Sequence, residues 1–549
     1  MDSGVELKFR STSQCCECGP QKSPALCSAI SATSICANCF DMSVTPGTRY
    51  HTLLNSNEPP DESELTFVRS VASTVDASLE YLDHEIANLP ENMKRLEEKR
   101  ASLLSYRVRN NAILSLLRWI PPELLREIFS WTMPLLEGAA EVTLGIEQTP
   151  WMLTQISSRW RAVTFSTPSL WSHIFIDYRH SHINPDPSTY SPSLIKAQLD
   201  YAQKLKIHFY GSQGIDLRPQ IDMFKLLSQH SSRWEELSVG LTAEMVPILM
   251  TLRDRIPSLR RLWIQWSTVE DQSGVHSIDC FQPASSLVDI GIFNEYRFVP
   301  VLLPVHQLTR YDIDCQLEEH IRVLKQTPNV IEARIDVTFD EEAWSDSLET
   351  VDLLRLRRLY ISPAGALKYF KVPSLEELAL DFSGEDILSL VRSLLDRSSC
   401  SLRRLCLQSP TAHTAIESLQ YCPSLTELLI LHDDGSRRDE INALISALTL
   451  PNYPGGLALA PQLRLISFGC DYESYLDYEA YLKMLQSRRG AENCALKSAA
   501  LLIVDGLKPE SETVRSLHTL RQEGLDFLLL EGVRARDEML PWDYSTLWT

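Results

Sequence analysis

The chain has 549 residues, with 52 Lys and Arg against 72 Asp and Glu, a formal net charge of −20. A surface that grips nucleic acid needs a clustered positive field to displace counterions, and no run of Lys or Arg supplies one, so nucleic acid is excluded as a partner class. With 44% hydrophobic and 23% charged residues, the chain can bury a core and is not a disordered tail.

No apolar run approaches the roughly 18 residues of a membrane helix, and the start MDSGVELKFR lacks the basic-then-apolar order of a signal peptide. The expectation is a cytoplasmic or nuclear protein with no membrane partner. Thirteen cysteines, an odd number scattered singly beyond residue 40, fit a reducing compartment.

Residues 1–57 are Cys-rich and too poor in large apolar side chains to build a core. Cys15, Cys18, Cys36 and Cys39 read C-x2-C, a spacer, then C-x2-C, within zinc-ribbon spacing, and Gly19 lets the chain bend after the first pair. Four thiolates would satisfy tetrahedral zinc, which would then supply most of the folding energy. A leader with incidental cysteines and a redox-active pair stay open as alternatives. No other cofactor is required.

Residues 58–112 form an amphipathic, coiled-coil-like helical region. EPPDESELTFV is a helix-start composition, with prolines followed by acids. Leu79, Leu82, Ile86, Leu89, Met93, Leu96 and Leu103 then recur at heptad spacing. Pro90 and a seam Arg100 interrupt it, so a kinked helix and an antiparallel helical hairpin are both open, as are packing on its own domain and homo-oligomerisation through residues 79–107.

Residues 113–176 carry three short helices. Pro122 suits a first turn, Glu123 faces the positive helix end, and Leu124, Leu125, Ile128 and Phe129 form an apolar face. The device repeats with Thr149 as cap, Pro150 as start and a stripe of Leu153, Ile156, Trp160 and Val163, before a third short helix at 167–171.

The order Ile120-Pro121-Pro122-Glu123-Leu124-Leu125, Glu127-Ile128-Phe129, Trp151, Ser158-Arg159-Trp160-Arg161 and Pro168-Ser169-Leu170-Trp171 resembles the F-box-like domain of fungal, mushroom-type F-box proteins. With its flanks the resemblance spans roughly residues 58–540. It implies that the domain docks on the adaptor subunit of a cullin-RING (SCF) ubiquitin ligase. Ile120, Pro121, Pro122, Leu124, Leu125, Ile128, Phe129 and Trp160 are the adaptor-binding candidates, and the rest of the chain would hold an unidentified protein substrate.

After a linker and helix at 177–200, residues 201–540 repeat one phrase: Pro, one residue, apolar, two residues, apolar, one residue, apolar. It occurs as PSLRRLWI at 257, PNVIEARI at 328, PSLEELAL at 373, PSLTELLI at 423 and PQLRLISF at 461. Without the Pro it recurs as LKIHFY at 205, WEELSV at 234, LVDIGI at 287, LTRYDI at 308, LRRLYI at 356, LRRLCL at 402 and LDFLLL at 525. This is the strand phrase of a leucine-rich repeat, with helix-like stretches such as HIRVLKQT between copies. Such units cannot cover their own apolar faces and must stack into a parallel-stranded solenoid. The phrases are unevenly spaced, with a wide gap between Leu425 and Leu463, so the solenoid is irregular. Arg357, Arg358 and Tyr360, and Glu376, Glu377 and Ala379, are expected to face outward and meet a protein partner. Residues 541–549 form a C-terminal tail.

The fold class is therefore α/β: an N-terminal amphipathic helix and a three-helix F-box-like domain, followed by an irregular leucine-rich-repeat solenoid. No Gly-rich phosphate loop, His-Glu-x-x-His or Gly-x-Ser-x-Gly occurs, and the chain is expected not to be an enzyme. The expected role is substrate recognition in a ubiquitin ligase, with the adaptor and cullin as partners. The alternative is a non-ligase interaction scaffold with a degenerate F-box.

Overall fold

The computed structural model describes residues 47–88, 93–133, 148–179, 190–212, 216–266, 268, 270–272, 274–294, 296–340, 344, 348–381, 387–432, 438–450, 459–470, 476–489, 494–504, 509–539 and 542. They fall into two compact units that divide at Leu170 and Trp171. Cys15, Cys18, Cys36, Cys39, Pro90 and the 541–549 tail except Trp542 lie outside the described residues.

The first unit opens with α1 (Arg49–Asn55), α2 (Glu62–Asn88) and α3 (Met93–Ile113). The acidic start of α2 closes a capping box: the Glu64 amide donates to Asp61 Oδ1 at 2.7 Å, and the Asp61 amide donates to Glu64 Oε2 at 2.8 Å. The hairpin is the form realised. Arg107 pairs with Asp76 at 2.9 Å and Arg100 with Asp83 at 2.5 Å, an inverse order that only antiparallel helices give. Leu79, Leu82, Leu96 and Leu103 bury in one cluster between α2 and α3. Tyr50, Leu53, Val68 and Ile113 seal its end. Pairing of two copies through residues 79–107 would have to use other faces of the hairpin.

Next come α4 (Pro122–Trp131), α5 (Trp151–Ile156) and α6 (Ser158–Phe165). The stripe from Leu153 to Val163 predicts one helix, but the chain breaks at Ser157 (φ −163°, ψ 163°), whose hydroxyl accepts from the Trp160 amide at 3.1 Å. A serine that caps from its own side chain offers the backbone an alternative to continuing the helix. Thr149 does not cap α5; its hydroxyl donates to the Thr132 carbonyl. TPSLW is a 3-10 turn, not an α-helix.

The second unit is built on a parallel sheet of 14 strands. Its strands are β1 (His173–Asp177), β2 (Leu205–Tyr210), β3 (Trp234–Leu241), β4 (Arg261–Trp266), β5 (Asp289–Phe293), β6 (Arg310–Cys315), β7 (Glu332–Val337), β9 (Arg358–Ser362), β11 (Glu377–Asp381), β12 (Arg404–Gln408), β13 (Glu427–His432), β14 (Leu465–Cys470), β15 (Ser498–Ile503) and β16 (Asp526–Glu531). They follow chain order, and β8 (Val351–Asp352) and β10 (Phe370–Lys371) pair separately. All the leucine phrases became strands of this sheet. The phrase misses β1 and β15; at β15, Ala499 stands where Leu428 and Ile466 stand on the two preceding strands. The sheet starts inside the stretch 113–176, so the helical domain is shorter than its expected bounds.

The crossovers are irregular: α7 (Pro192–Tyr201), α8 (Leu217–Ser228), α9 (Val246–Met250), α10 (Leu317–Leu324), α11 (Ile387–Ser398), α12 (Ala412–Tyr421), α13 (Arg438–Leu448), α14 (Tyr478–Arg489) and α15 (Ser511–Gln522), with 3-10 turns elsewhere. In most phrases the apolar positions turn toward the helices, as where Leu259, Leu262 and Ile264 are all buried; in LDFLLL the register instead puts Leu528 and Leu530 on the other face, beside Ala500 and Leu502. Aromatic pairs tie strand to helix, with Phe209 and Phe224 at 5.1 Å and Phe468 and Tyr481 at 5.6 Å. A final helix, α16 (Val533–Met539), follows β16 directly.

One expectation fails on the opposite face of the sheet. Arg357 and Arg358 are exposed, but Tyr360 and Ala379 are buried in one cluster with Ala535 of α16 and Trp542, and Glu377 is buried within its ion pairs. The phrase fixes which side chains leave the leucine core but carries no signal that the chain's own end returns to cover them.

Candidate docking surfaces

Two surfaces stand out, one in each unit. In the first, Pro122 occupies the first turn of α4 and Glu123 its acidic N-terminal position. Arg159 donates to the carbonyls of Arg118 and Ile120, clamping the turn that feeds α4. Arg118 itself donates to the Leu53 and Glu58 carbonyls, and burial lowers its pKa. The apolar residues of α4, expected as one face, split into two. Leu125 and Phe129 are buried (1% and 0% exposed), with the Phe129 ring 4.7 Å from Trp160. Leu124 and Ile128 are 56% and 43% exposed, and Trp131, at 82%, extends them to an i, i+4, i+7 stripe.

Among the adaptor candidates, Pro121 and Pro122 are also exposed, Ile120 and Trp160 half-buried. Leu125, Phe129 and Trp160 hold the helix from within, and Leu124 and Ile128 face out. Trp131 was missed although it lies one turn beyond Ile128. Leu116, Leu117 and Trp119 ahead of α4, and Met152 and Ile156 on α5, are exposed apolar residues of the same unit. A monomeric domain rarely leaves so much apolar surface in water without a use for it.

The second surface is the sheet face opposite the helices. Its first row alternates in sign over ten consecutive strands: Lys206, Glu236, Arg261, Asp289, Arg310, Glu332, Arg358, Glu377, Arg404, Glu427. Every neighbouring pair is bridged, at 2.7 to 3.8 Å. A single exposed pair stabilises little, but a continuous ladder penalises any slip of strand register. Six of these residues, Lys206 to Glu332, line a cleft of about 510 Å³, and each of the six is ion-paired along the ladder. From Glu236 onward the signal was legible two residues after each phrase-start apolar residue.

The next row reads His208, Ser238, Trp263, Gly291, Asp312, Arg334 and then Tyr360, Ala379, Cys406, Leu429, Ser467, Ala500. A Cβ at Gly291 would lie 1.9 Å from Trp263 Cε3, so only glycine lets the indole lie across the neighbouring strand. Asp314, on β6, accepts from the Asn294 amide at 2.8 Å, yet burial pushes its carboxyl up to about 8.

These buried groups set a pH optimum. Burial holds His208 at about 3 and His320 at about 4, below the ordinary 6.5. Their contribution to stability is complete above pH 6.5 and is lost as pH falls toward 4. Asp314 acts in the other direction: its folded pKa exceeds 3.8, so its contribution is lost as pH rises toward 8. Thermal stability is expected to peak near pH 6.5. Asp314→Asn should flatten the fall between pH 6.5 and 8 in thermal melts; an unchanged alkaline slope would count against the assignment.

Among the described residues, no helix is long and apolar enough to cross a membrane, and no group of three or more His, Cys, Asp or Glu side chains could hold a metal ion. No family model and no curated protein matches the chain.

Proposed function

We propose that the chain is the substrate-recognition subunit of an SCF-type ubiquitin ligase, with an F-box-like first unit docking on the adaptor and a leucine-rich-repeat-like second unit holding the target protein. The observation that carries this reading is the division of α4: Leu125 and Phe129 fix it to its own domain, while Leu124, Ile128 and Trp131 present the spacing of a helix that lies in a partner's groove. In this role the chain supplies no nucleophile. It raises the effective concentration of a bound protein near a charged conjugating enzyme. Co-purification with the adaptor and a cullin tests it, and Leu124→Asp with Ile128→Asp should abolish that capture. A folded native chain that captures neither subunit would favour the scaffold reading.

The same reading includes a structural zinc site at Cys15, Cys18, Cys36 and Cys39, supported by their spacing. Metal analysis of the purified chain should give about one zinc per molecule, lost in a Cys15→Ser, Cys18→Ser variant. Less than half an equivalent in the native chain would remove the site from the proposal.

A further inference from the structure

The C-terminal helix breaks the packing rule of the second unit. Helices α8 and α14 pack on the leucine side of the sheet, through Phe224 on Phe209 and Tyr481 on Phe468. Helix α16 lies on the other side, where Ala535 joins Tyr360, Ala379, Cys406, Leu429, Ala500 and Leu502 in one buried cluster with Trp542. Gly532, at φ +60°, supplies the reversal immediately after β16.

The face beneath is shaped for this occupant. Its central row is polar, charged or aromatic from β2 to β7, apart from Gly291, and turns mostly small and apolar from β11 to β15, where the cluster lies. Gly469 leaves a notch: a Cβ there would come within 2.8 Å of Met539 Cε. The Arg404 guanidinium stacks over the Trp542 ring at 4.4 Å. The arm makes its contact through Ala535 and Met539, one turn apart on α16, and through Trp542 beyond the helix's described end, while Val533, Arg534, Arg536 and Glu538 remain exposed.

We propose that this strip is a helix-accepting groove and that α16, with Trp542 beyond it, is its built-in, exchangeable occupant. The external ligand class is a short amphipathic helix with a small residue and a flexible aliphatic or Met at i and i+4, followed by an aromatic residue just past its end. Helix-in-groove recognition uses this anchor spacing, and few anchors must offset the ordering of the whole arm. The inference rests on the reading that this sheet face holds cargo, and it names the segment of cargo that would compete with the arm.

The test uses the full chain and a fluorescein-labelled peptide of residues 531–542. Met539→Ala with Trp542→Ala in the chain weakens the arm and should raise peptide affinity at least about tenfold over the native chain, a difference of about 1.4 kcal/mol. The same two changes in the peptide should abolish binding, as should adding Gly469→Leu, which fills the notch, to the weakened chain. Equal binding to native and weakened chains, or none to the weakened chain at millimolar peptide, overturns the proposal. So does loss of its cooperative melt, which would make the arm an obligate part of the core. No adaptor enters this assay, so its outcome and that of the adaptor capture are independent.

Discussion

Leu124→Asp with Ile128→Asp abolishes capture of the adaptor while the chain keeps its fold: this is the expected result at the α4 surface. Both side chains are exposed, so charging them costs the folded chain little. In a complex each would be a buried anchor contributing on the order of 1.5–3 kcal/mol, and an aspartate in an apolar groove would add a desolvation cost. Losing two anchors weakens binding by roughly 3 kcal/mol or more, above a hundredfold in Kd. Leu125→Asp is the contrasting variant: Leu125 is buried beside Phe129, so its loss should appear as unfolding before it appears as lost binding. Circular dichroism and adaptor pull-down on the two variants separate these effects. Full capture by a folded double variant would show that α4 does not dock.

Much of this architecture was legible because its signals are periodic. A strand buried by Leu259, Leu262 and Ile264 must repeat the same spacing wherever the sheet repeats, so the phrase locates strands even where no proline precedes it. It failed at β15 because Ala499 takes the position that Leu428 and Ile466 take on the two strands before it. The reading of 150–163 as one helix failed for a local reason, since apolar spacing cannot show whether Ser157 caps a new helix or continues an old one. At α4 the sequence named the apolar residues but could not divide them into inner and outer sets. That division depends on Trp160, which meets Phe129 from a different helix. The covered face over Tyr360 and Ala379 was beyond any spacing rule, because its cause lies more than 150 residues further along the chain at Ala535.

The gap between Leu425 and Leu463 is spanned by a connection longer than its neighbours, and Arg488 holds the ends of that connection. Its side chain is 1% exposed, and among the described residues it has no carboxylate partner. Nε donates to the Leu448 carbonyl at the end of α13 at 2.7 Å, and the two terminal nitrogens donate to the Ala460 and Leu459 carbonyls just before β14. Burial lowers its pKa, the cost of keeping a cation among neutral acceptors. Arg488→Ala removes the charge but leaves a cavity and strips these carbonyls of their donor. Hydrogen bonds to a charged group contribute about 1.5–3 kcal/mol each, so after the relief of desolvation the variant should lose about 3 kcal/mol or more. Because stacked units unfold locally, hydrogen exchange should quicken first in β14 and β15, with β2 to β7 unchanged. Arg488→Met keeps the volume without the donors and should fall between native and alanine. Arg489→Ala, one residue on and paired only loosely with Glu523 at 3.8 Å, should stay within about 0.5 kcal/mol of the native chain. If Arg488→Ala proves as mild as Arg489→Ala, the connection is held by something other than this clamp.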